Sequence, residues 1–191
     1  MIQCDRKINR RILIIDDTES IHQDFCKALQ GDPDDMDLAA EEAELFGESE
    51  ANNRPNITYQ VDSAMQGRDG LSKVIAAVDE GQPYAVAFVD MRMPPGWDGV
   101  QTISRLWEKD PNLQVVICTA YSDYSWEQII ERLGMSDRML ILKKPFDPAE
   151  VAQLALALTE KWSVTHQANN MVRTLEKLVE DRTNELRHAA T

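Results

Sequence analysis

The sequence predicts an α/β fold: a doubly wound parallel sheet of five strands with helices on both faces. Five short apolar runs rich in Val, Ile and Leu recur along the 191 residues. Segments with helical apolar spacing separate these runs, so strands and helices alternate. Continuous apolar runs are typical of parallel strands, which are buried on both faces. Right-handed crossovers are expected to connect them.

The first strand is predicted at residues 11–15, where the run RILII stops at two acids. A helix is predicted at residues 18–30, because its apolar residues recur at helical spacing. Thr18 or Ser20 has the side chain that a helix N-cap needs. His22 is expected on the outer, solvated side of this helix.

Residues 57–61 form the second predicted strand, and residues 67–79 the next helix, which Gly81 closes. The third strand, at residues 84–89 (YAVAFV), is the most strand-like run in the chain. Gly and Pro make the following MRMPPGWDG a loop.

Asp98 is expected to cap a helix that reaches about Lys109. The fourth strand (LQVVIC) is predicted at residues 113–118, followed by a helix at residues 125–133. The fifth strand, MLIL, covers residues 139–142 and ends the predicted sheet.

The negative charge is concentrated in one segment. The chain has 33 acids and 20 bases, a net charge of −13, which argues against binding to nucleic acid or to an anionic membrane. Residues 31–53 hold nine acids and no Lys or Arg, with one short helix predicted at residues 36–46. We interpret residues 31–56 as an acidic insertion between the first helix and the second strand.

The last helix is predicted to continue beyond the domain, because no Pro or Gly follows Pro148 as far as about Ala190. Apolar or small residues occupy most a and d positions of a heptad repeat, whereas Lys161 and Arg182 interrupt it. We predict a coiled-coil homodimer through residues 161–191, leading to an output domain beyond the segment. The alternative is a solvated, fraying tail.

The remaining composition indicates a cytoplasmic protein. Cys4, Cys26 and Cys118 form no CxxC pair, so neither a disulfide framework nor a zinc site is indicated. Residues 1–10 form a polar leader without the apolar core of a signal peptide. The sequence contains no run of 18 apolar residues, so it does not predict insertion into a membrane.

Five polar residues follow the predicted strands: Asp16, Asp17, Asp90, Thr119 and Lys144. The carboxyl ends of parallel strands share one edge of a sheet, where ligands bind in this architecture. Two carboxylates about 4 Å apart repel by about 4 kcal/mol at an effective dielectric of 20, and a divalent cation relieves this. Oxygen ligands favour Mg²⁺, and the hydroxyl and ammonium suit phosphate oxygens. The set predicts phosphoryl chemistry at Asp90.

In this order, the motifs resemble those of a response-regulator receiver domain of two-component signalling. The matching pieces are the Asp16-Asp17 pair, VDMRMPPGWDG around Asp90, CTA at Thr119 and LKKPF at Lys144. The resemblance covers residues 11–160. It implies a flavodoxin-like sheet with strand order 2-1-3-4-5, to which the extended C-terminal helix predicted above is added.

The resemblance also implies roles. Asp90 would accept a phosphoryl group from a histidine kinase, and Thr119 and Lys144 would hold its oxygens. Asp17, Asp90 and the backbone carbonyl of Arg92 would bind Mg²⁺ directly. In addition, Asp16 would act through metal-bound water, and the Lys144–Pro145 bond would be cis.

Three departures from the family pattern stand out. Gly96 and Trp97 make the loop after Asp90 one residue longer, and the cationic Arg92 could alter phosphoryl lifetime. Ile141 occupies the position of the family's switch aromatic, so Tyr121 is a candidate substitute.

The sequence leaves three functions open. The first is a phospho-accepting receiver, not itself an enzyme, that signals to a histidine kinase or cyclic-di-GMP enzyme as its output. An aspartyl-phosphate-type magnesium phosphatase is the second, although Arg92 stands where that class has an acid. The third is a silent dimerising scaffold.

Overall fold

The computed structural model describes residues 8–30, 57–120 and 126–189. The predicted helix at residues 36–46, like the rest of the acidic insertion, lies outside the described residues. The strands are β1 (Arg11–Ile15), β2 (Gln60–Ala64), β3 (Val86–Asp90), β4 (Gln114–Thr119) and β5 (Met139–Lys143). The helices are α1 (Glu19–Gln30), α2 (Gly67–Asp79), α3 (Gly99–Lys109), α4 (Trp126–Leu133) and α5 (Pro148–Ala189).

The five strands form one parallel sheet in the order β2-β1-β3-β4-β5. β1 lies between β2 and β3, so Ile14 is in register with Ser63 on one side and Phe88 on the other. Asp90 is in register with Cys118, which puts the ends of β3 and β4 side by side. The predicted fold class and strand order are confirmed.

Each face of the sheet has its own apolar core. Leu13 and Ile15 belong to the core beneath α2, α3 and α4, whereas Ile12 and Ile14 belong to the core beneath α1 and α5. This alternation within β1 follows from the two-residue period of a strand. Because both faces are covered, β1 reads as an uninterrupted apolar run.

The second strand begins three residues later than predicted, at Gln60 instead of residue 57. Ile57 and Tyr59 pack against the core under α1 and α5 before the strand starts. β2 itself is an edge strand with polar and half-exposed residues, so apolar content does not mark it. The prediction therefore placed the start of the strand at apolar residues that pack against the core just before it.

Helix α5 is 42 residues long. Its first part packs on the sheet through Val151, Ala155, Leu158 and Trp162. From residue 167 to residue 185 every described side chain is exposed. Across the described ranges, none of the helices has the length and apolarity needed to cross a bilayer.

Candidate functional site

Three predicted site residues meet at the carboxyl edge of the sheet. The Nζ atom of Lys144 donates to Asp16 Oδ2 at 2.6 Å and to Asp90 Oδ1 at 2.6 Å. The two carboxylates are nearly buried, with 1% of Asp16 and 7% of Asp90 exposed. A single ammonium therefore bridges the ends of β1 and β3 in a site with little access to water.

The turn after β1 holds Asp16 through its main chain as well as its side chain. The Asp16 amide donates to Ala64 O at 3.1 Å, and Asp16 Oδ1 accepts from the Thr18 amide at 2.9 Å. Asp17 is half-buried, and its Oδ1 accepts from the Thr18 hydroxyl at 3.2 Å. Asp17 is thus the more open carboxylate of the pair.

Asp90 ends β3, the central strand of the sheet. Its second oxygen, Oδ2, accepts from the Arg92 amide at 2.8 Å. The loop returns close to the strand at Gly99, where an added Cβ would lie 2.6 Å from Asp90 O. Asp98 then caps α3 as predicted, because its side chain accepts from the Gln101 amide.

Lys144 reaches the site because its backbone continues the pairing of β5 with β4. The Lys144 amide donates to Thr119 O at 2.9 Å. The predicted cis peptide bond between Lys144 and Pro145 is confirmed. Thr119 lies at the end of β4, largely buried, with its hydroxyl donating to Ala120 O at 3.0 Å. All of the strand-end residues therefore share one edge, as the parallel topology requires.

Burial and charge shift the pKa values of Asp90 and Lys144. Burial raises the pKa of the Asp90 carboxyl, and this outweighs the opposing effects of the Lys144 ammonium and the Arg92 amide. Burial by itself would lower the pKa of Lys144, but its contacts with Asp16 and Asp90 raise it above the ordinary value. Lys144 is therefore a cation at neutral pH.

The donor set suits a small divalent cation. Asp16, Asp17 and Asp90 carry three negative charges and Lys144 one positive charge, so two negative charges are uncompensated. Hard oxygen ligands of this kind are those that Mg²⁺ prefers. No ready-made group of three His, Cys, Asp or Glu side chains is found among the described residues, and the Lys144 ammonium separates Asp16 from Asp90.

The lengthened loop after Asp90 is attached to the neighbouring helices through Trp97. The guanidinium of Arg68, on α2, lies 5.3 Å from the Trp97 ring centroid. The guanidinium of Arg105, on α3, lies 5.4 Å from the same centroid. Arg92, by contrast, has an exposed side chain. Trp97 thus connects the loop to α2 and α3.

His22 is buried, so its expected solvated position is wrong. Only 5% of the residue is exposed, and its Nε2 atom lies 2.7 Å from Asp16 O. His22 shares the inner face of α1 with Phe25 and Leu29. Its spacing of three and seven residues from these two was the signal that could have located it.

The family's switch position is only partly described. Ile141 lies on β5 with a half-buried side chain. Tyr121, the proposed substitute for the aromatic, lies outside the described residues. Neither assignment goes beyond a prediction.

The chain matches a family of known proteins. Residues 54–157 match the family model described as the response regulator receiver domain. Sporulation initiation phosphotransferase F of Bacillus subtilis (strain 168) is 29% identical over 94 residues. That alignment covers 49% of this chain and 66% of the relative, slightly less than two thirds of its length.

Solved structures share the fold at lower identity. A structure described as adenylate cyclase from Rhodopirellula baltica has a TM-score of 0.59 at 18% identity, covering 87% of this chain and 98% of that one. A CheY-like receiver domain protein from Methanospirillum hungatei JF-1 has a TM-score of 0.56 at 19% identity. The alignment covers 82% of this chain and 98% of that structure.

Proposed function

Because the chain belongs to the response regulator receiver family, we propose that Asp90 accepts a phosphoryl group from a histidine kinase and thereby switches an output module. The observation that carries the proposal is the setting of Asp90. Its carboxylate ends the central strand, largely buried, with Lys144 Nζ at 2.6 Å and the Arg92 amide at 2.8 Å. Residues 11–160 would form the receiver.

The chemistry needs little more than positioning and charge. An Asp90 oxygen attacks the phosphorus of a phosphohistidine, the P–N bond breaks, and the imidazole leaves with a proton. A buried carboxylate with a raised pKa is a more basic attacking group than an exposed one. Lys144 and Thr119 would then hold phosphoryl oxygens, because one supplies an ammonium and the other a hydroxyl at the same edge.

Mg²⁺ is the cation that we propose for this site. Asp17, Asp90 and the Arg92 carbonyl would bind it directly, and Asp16 would hold a water bound to it. When bound, Mg²⁺ neutralises charge on the phosphoryl group and the carboxylates. The half-exposed Asp17 carboxylate and the two uncompensated charges of the site support this assignment.

The output would be controlled through α5. Phosphorylation adds about −1.5 to −2 charges at the sheet edge. We expect Thr119 and the surface of β5 to change arrangement and α5 to transmit the change. In the proposed homodimer, residues 161–191 form the coiled coil that leads to a histidine kinase or cyclic-di-GMP enzyme.

The remaining assignments follow from the same proposal. Residues 1–10 would be a leader and residues 31–56 an acidic insertion between α1 and β2. A cytoplasmic location is proposed because the three cysteines indicate no disulfide framework, which favours a reducing compartment. Nucleic acid and membranes are not among the proposed partners, since the chain carries a net charge of −13.

Two other functions have less support. An aspartyl-phosphate-type phosphatase uses a second acid two residues after its nucleophile, and that position holds the exposed Arg92. In a silent scaffold, the buried ion pair of Asp90 and Lys144 would have no function. Burying charged groups is costly even when pairing offsets part of the cost, so apolar residues would serve a scaffold as well. The proposed receiver accounts for both residues.

The decisive experiment uses a small phosphodonor. Incubation of the chain with acetyl phosphate and MgCl₂ should add one phosphoryl group of about 80 Da, seen by intact mass spectrometry. Asp90→Asn should abolish the adduct. Asp110→Asn is the matched control, because Asp110 is similarly buried but lies before β4, away from the site. It should be phosphorylated like the wild type.

Each alternative has its own outcome. An unmodified wild-type chain would contradict the receiver and favour the scaffold. Repeated release of phosphate from small monoesters would favour the phosphatase. An adduct that persists in Asp90→Asn would assign the phosphorylated residue to another position.

A further inference from the structure

We infer that His22 is a positioning residue for the metal-binding turn: its ring holds the Asp16–Asp17 peptide and so orients the Asp17 carboxylate toward Mg²⁺. The inference rests on the proposed function, since it concerns the same cation. It assigns a task to a buried histidine that phosphoryl transfer itself does not use.

The contact is a hydrogen bond to the main chain. His22 Nε2 lies 2.7 Å from Asp16 O, and a carbonyl oxygen can only accept. The proton is therefore on Nε2. The other ring nitrogen, Nδ1, is buried and has no hydrogen-bond partner among the described residues. Among the described residues, the hydrogen bond of this ring is therefore the one to Asp16 O.

The location of that bond makes it relevant to Asp17. Asp16 O belongs to the peptide group that joins Asp16 to Asp17, so fixing the carbonyl fixes the plane from which Asp17 begins. The Asp16 amide is held independently by Ala64 O on β2. Between them, β2 and α1 fix the main chain on both sides of the Asp16 Cα.

The orientation of Asp17 depends on the main-chain support from His22, because the hydrogen bond of its own side chain is local. Its carboxylate accepts from the hydroxyl of Thr18, the next residue, at 3.2 Å. A bond to the next residue moves with the turn and does not tie it to the body of the domain. Asp16, in contrast, is also held by Lys144, which follows β5. The direction of Asp17 is therefore set by two peptides, the one before it that His22 holds and the one after it, whose Thr18 amide donates to Asp16 Oδ1.

Apolar packing alone does not account for a histidine here. The position shares the inner face of α1 with Phe25 and Leu29, where an apolar side chain would avoid burying a polar ring. Residues that orient metal ligands from behind typically change metal affinity by 10–100-fold when they are replaced. We expect an effect in this range.

Three variants separate the bond from the packing. His22→Gln keeps an amide donor near the place of Nε2, whereas His22→Asn keeps a polar group near Nδ1 and loses the reach to Asp16 O. His22→Leu keeps apolar volume and loses both. The control is His166→Leu, because His166 lies on α5, stacked on Trp162 and away from Asp16.

The measurement is the dissociation constant for Mg²⁺, by calorimetric titration of the full chain with MgCl₂ at fixed pH and ionic strength. His22→Leu and His22→Asn should bind at least tenfold more weakly. His22→Gln should stay within about threefold of the wild type, and His166→Leu should match it. Asp17→Asn serves as the reference for loss of a direct ligand.

A second measurement distinguishes positioning from stability. Bound Mg²⁺ raises the melting temperature of a chain that binds it only when folded. A merely structural role would lower the melting temperature of His22→Leu equally with and without MgCl₂. A positioning role shrinks the gain that MgCl₂ produces, and His22→Gln restores that gain.

The outcomes separate the inference from the proposal beneath it. If the wild type binds Mg²⁺ and both His22→Leu and His22→Asn bind it equally well, the positioning role is wrong and the receiver proposal stands. If the wild type binds no Mg²⁺, both are overturned. If His22→Gln is as weak as His22→Leu, the hydrogen bond to Asp16 O is not the cause and the inference fails.

Discussion

The two halves of α5 are one continuous helix in two different environments. In the first half, Val151 and Ala155 are fully buried and Trp162 is 6% exposed. In the second half, Leu175 is 50% exposed and Val179 is 65% exposed. Both halves carry apolar residues, but the sheet covers only the first. The apolar stripe therefore continues beyond the domain. Its exposed second half is the surface that the proposed homodimer would bury.

The largest contrast should appear on truncating one apolar side chain in each half. Trp162→Ala should lower the free energy of unfolding by about 3–5 kcal/mol, because it empties a site in the core. Leu178→Ala, at 58% exposed, should change it by less than about 0.5 kcal/mol. Urea denaturation at a protein concentration that keeps the chain monomeric measures both. Equal costs would mean that the second half is covered within one chain.

The second contrast concerns association. Replacing Leu175 and Val179 together by Asp should weaken the proposed dimer at least tenfold, about 1.4 kcal/mol, because charge would enter its seam. Asn170→Asp is the control, since Asn170 lies on the opposite side of the helix from Val179. Sedimentation equilibrium provides the dissociation constants. A wild type that stays monomeric at all concentrations would contradict the dimer.

The smallest contrast is a pH effect confined to the body of the domain. The pKa of Lys144 is raised by its two carboxylates, so its stabilising contribution is fully present below the ordinary value of 10.5. It is lost as pH rises through the pKa of the folded chain. The gap in unfolding free energy between the wild type and Lys144→Met should therefore narrow above pH 10.5.

Urea titrations in EDTA measure this gap. Burial also raises the pKa values of Tyr59 and Tyr84, whose ionisation at alkaline pH affects stability as well. These tyrosines are present in both proteins, so their contribution cancels in the comparison. A gap that stays constant up to high pH would mean that the Lys144 contacts contribute no pH-dependent stability.

Most of the site could be predicted because its residues follow strands. Asp16, Asp90 and Lys144 are far apart in sequence, yet Asp16 and Asp90 come directly after an apolar run and Lys144 comes one residue later. In a parallel sheet that position alone puts them on one edge. The boundaries of β2 were not predictable in this way, because an edge strand has no continuous apolar run.

His22 shows where sequence reasoning stopped short. Its helical spacing with Phe25 and Leu29 was visible, but His22 was expected on the outer, solvated side of the helix. Which face of α1 turned inward depended on how far the helix rotated against the sheet. That rotation is settled by packing between α1 and α5, elements separated by more than a hundred residues.

By itself, the sequence determined the parallel five-stranded fold, the set of residues at its carboxyl edge and the length of α5, because each depends on local pattern and period. The tertiary structure decided that Lys144 bridges two carboxylates 128 and 54 residues away. It also decided that His22 faces Asp16 and that the body covers α5 only through its first half. These contacts join distant segments, and only packing the whole chain sets their distances.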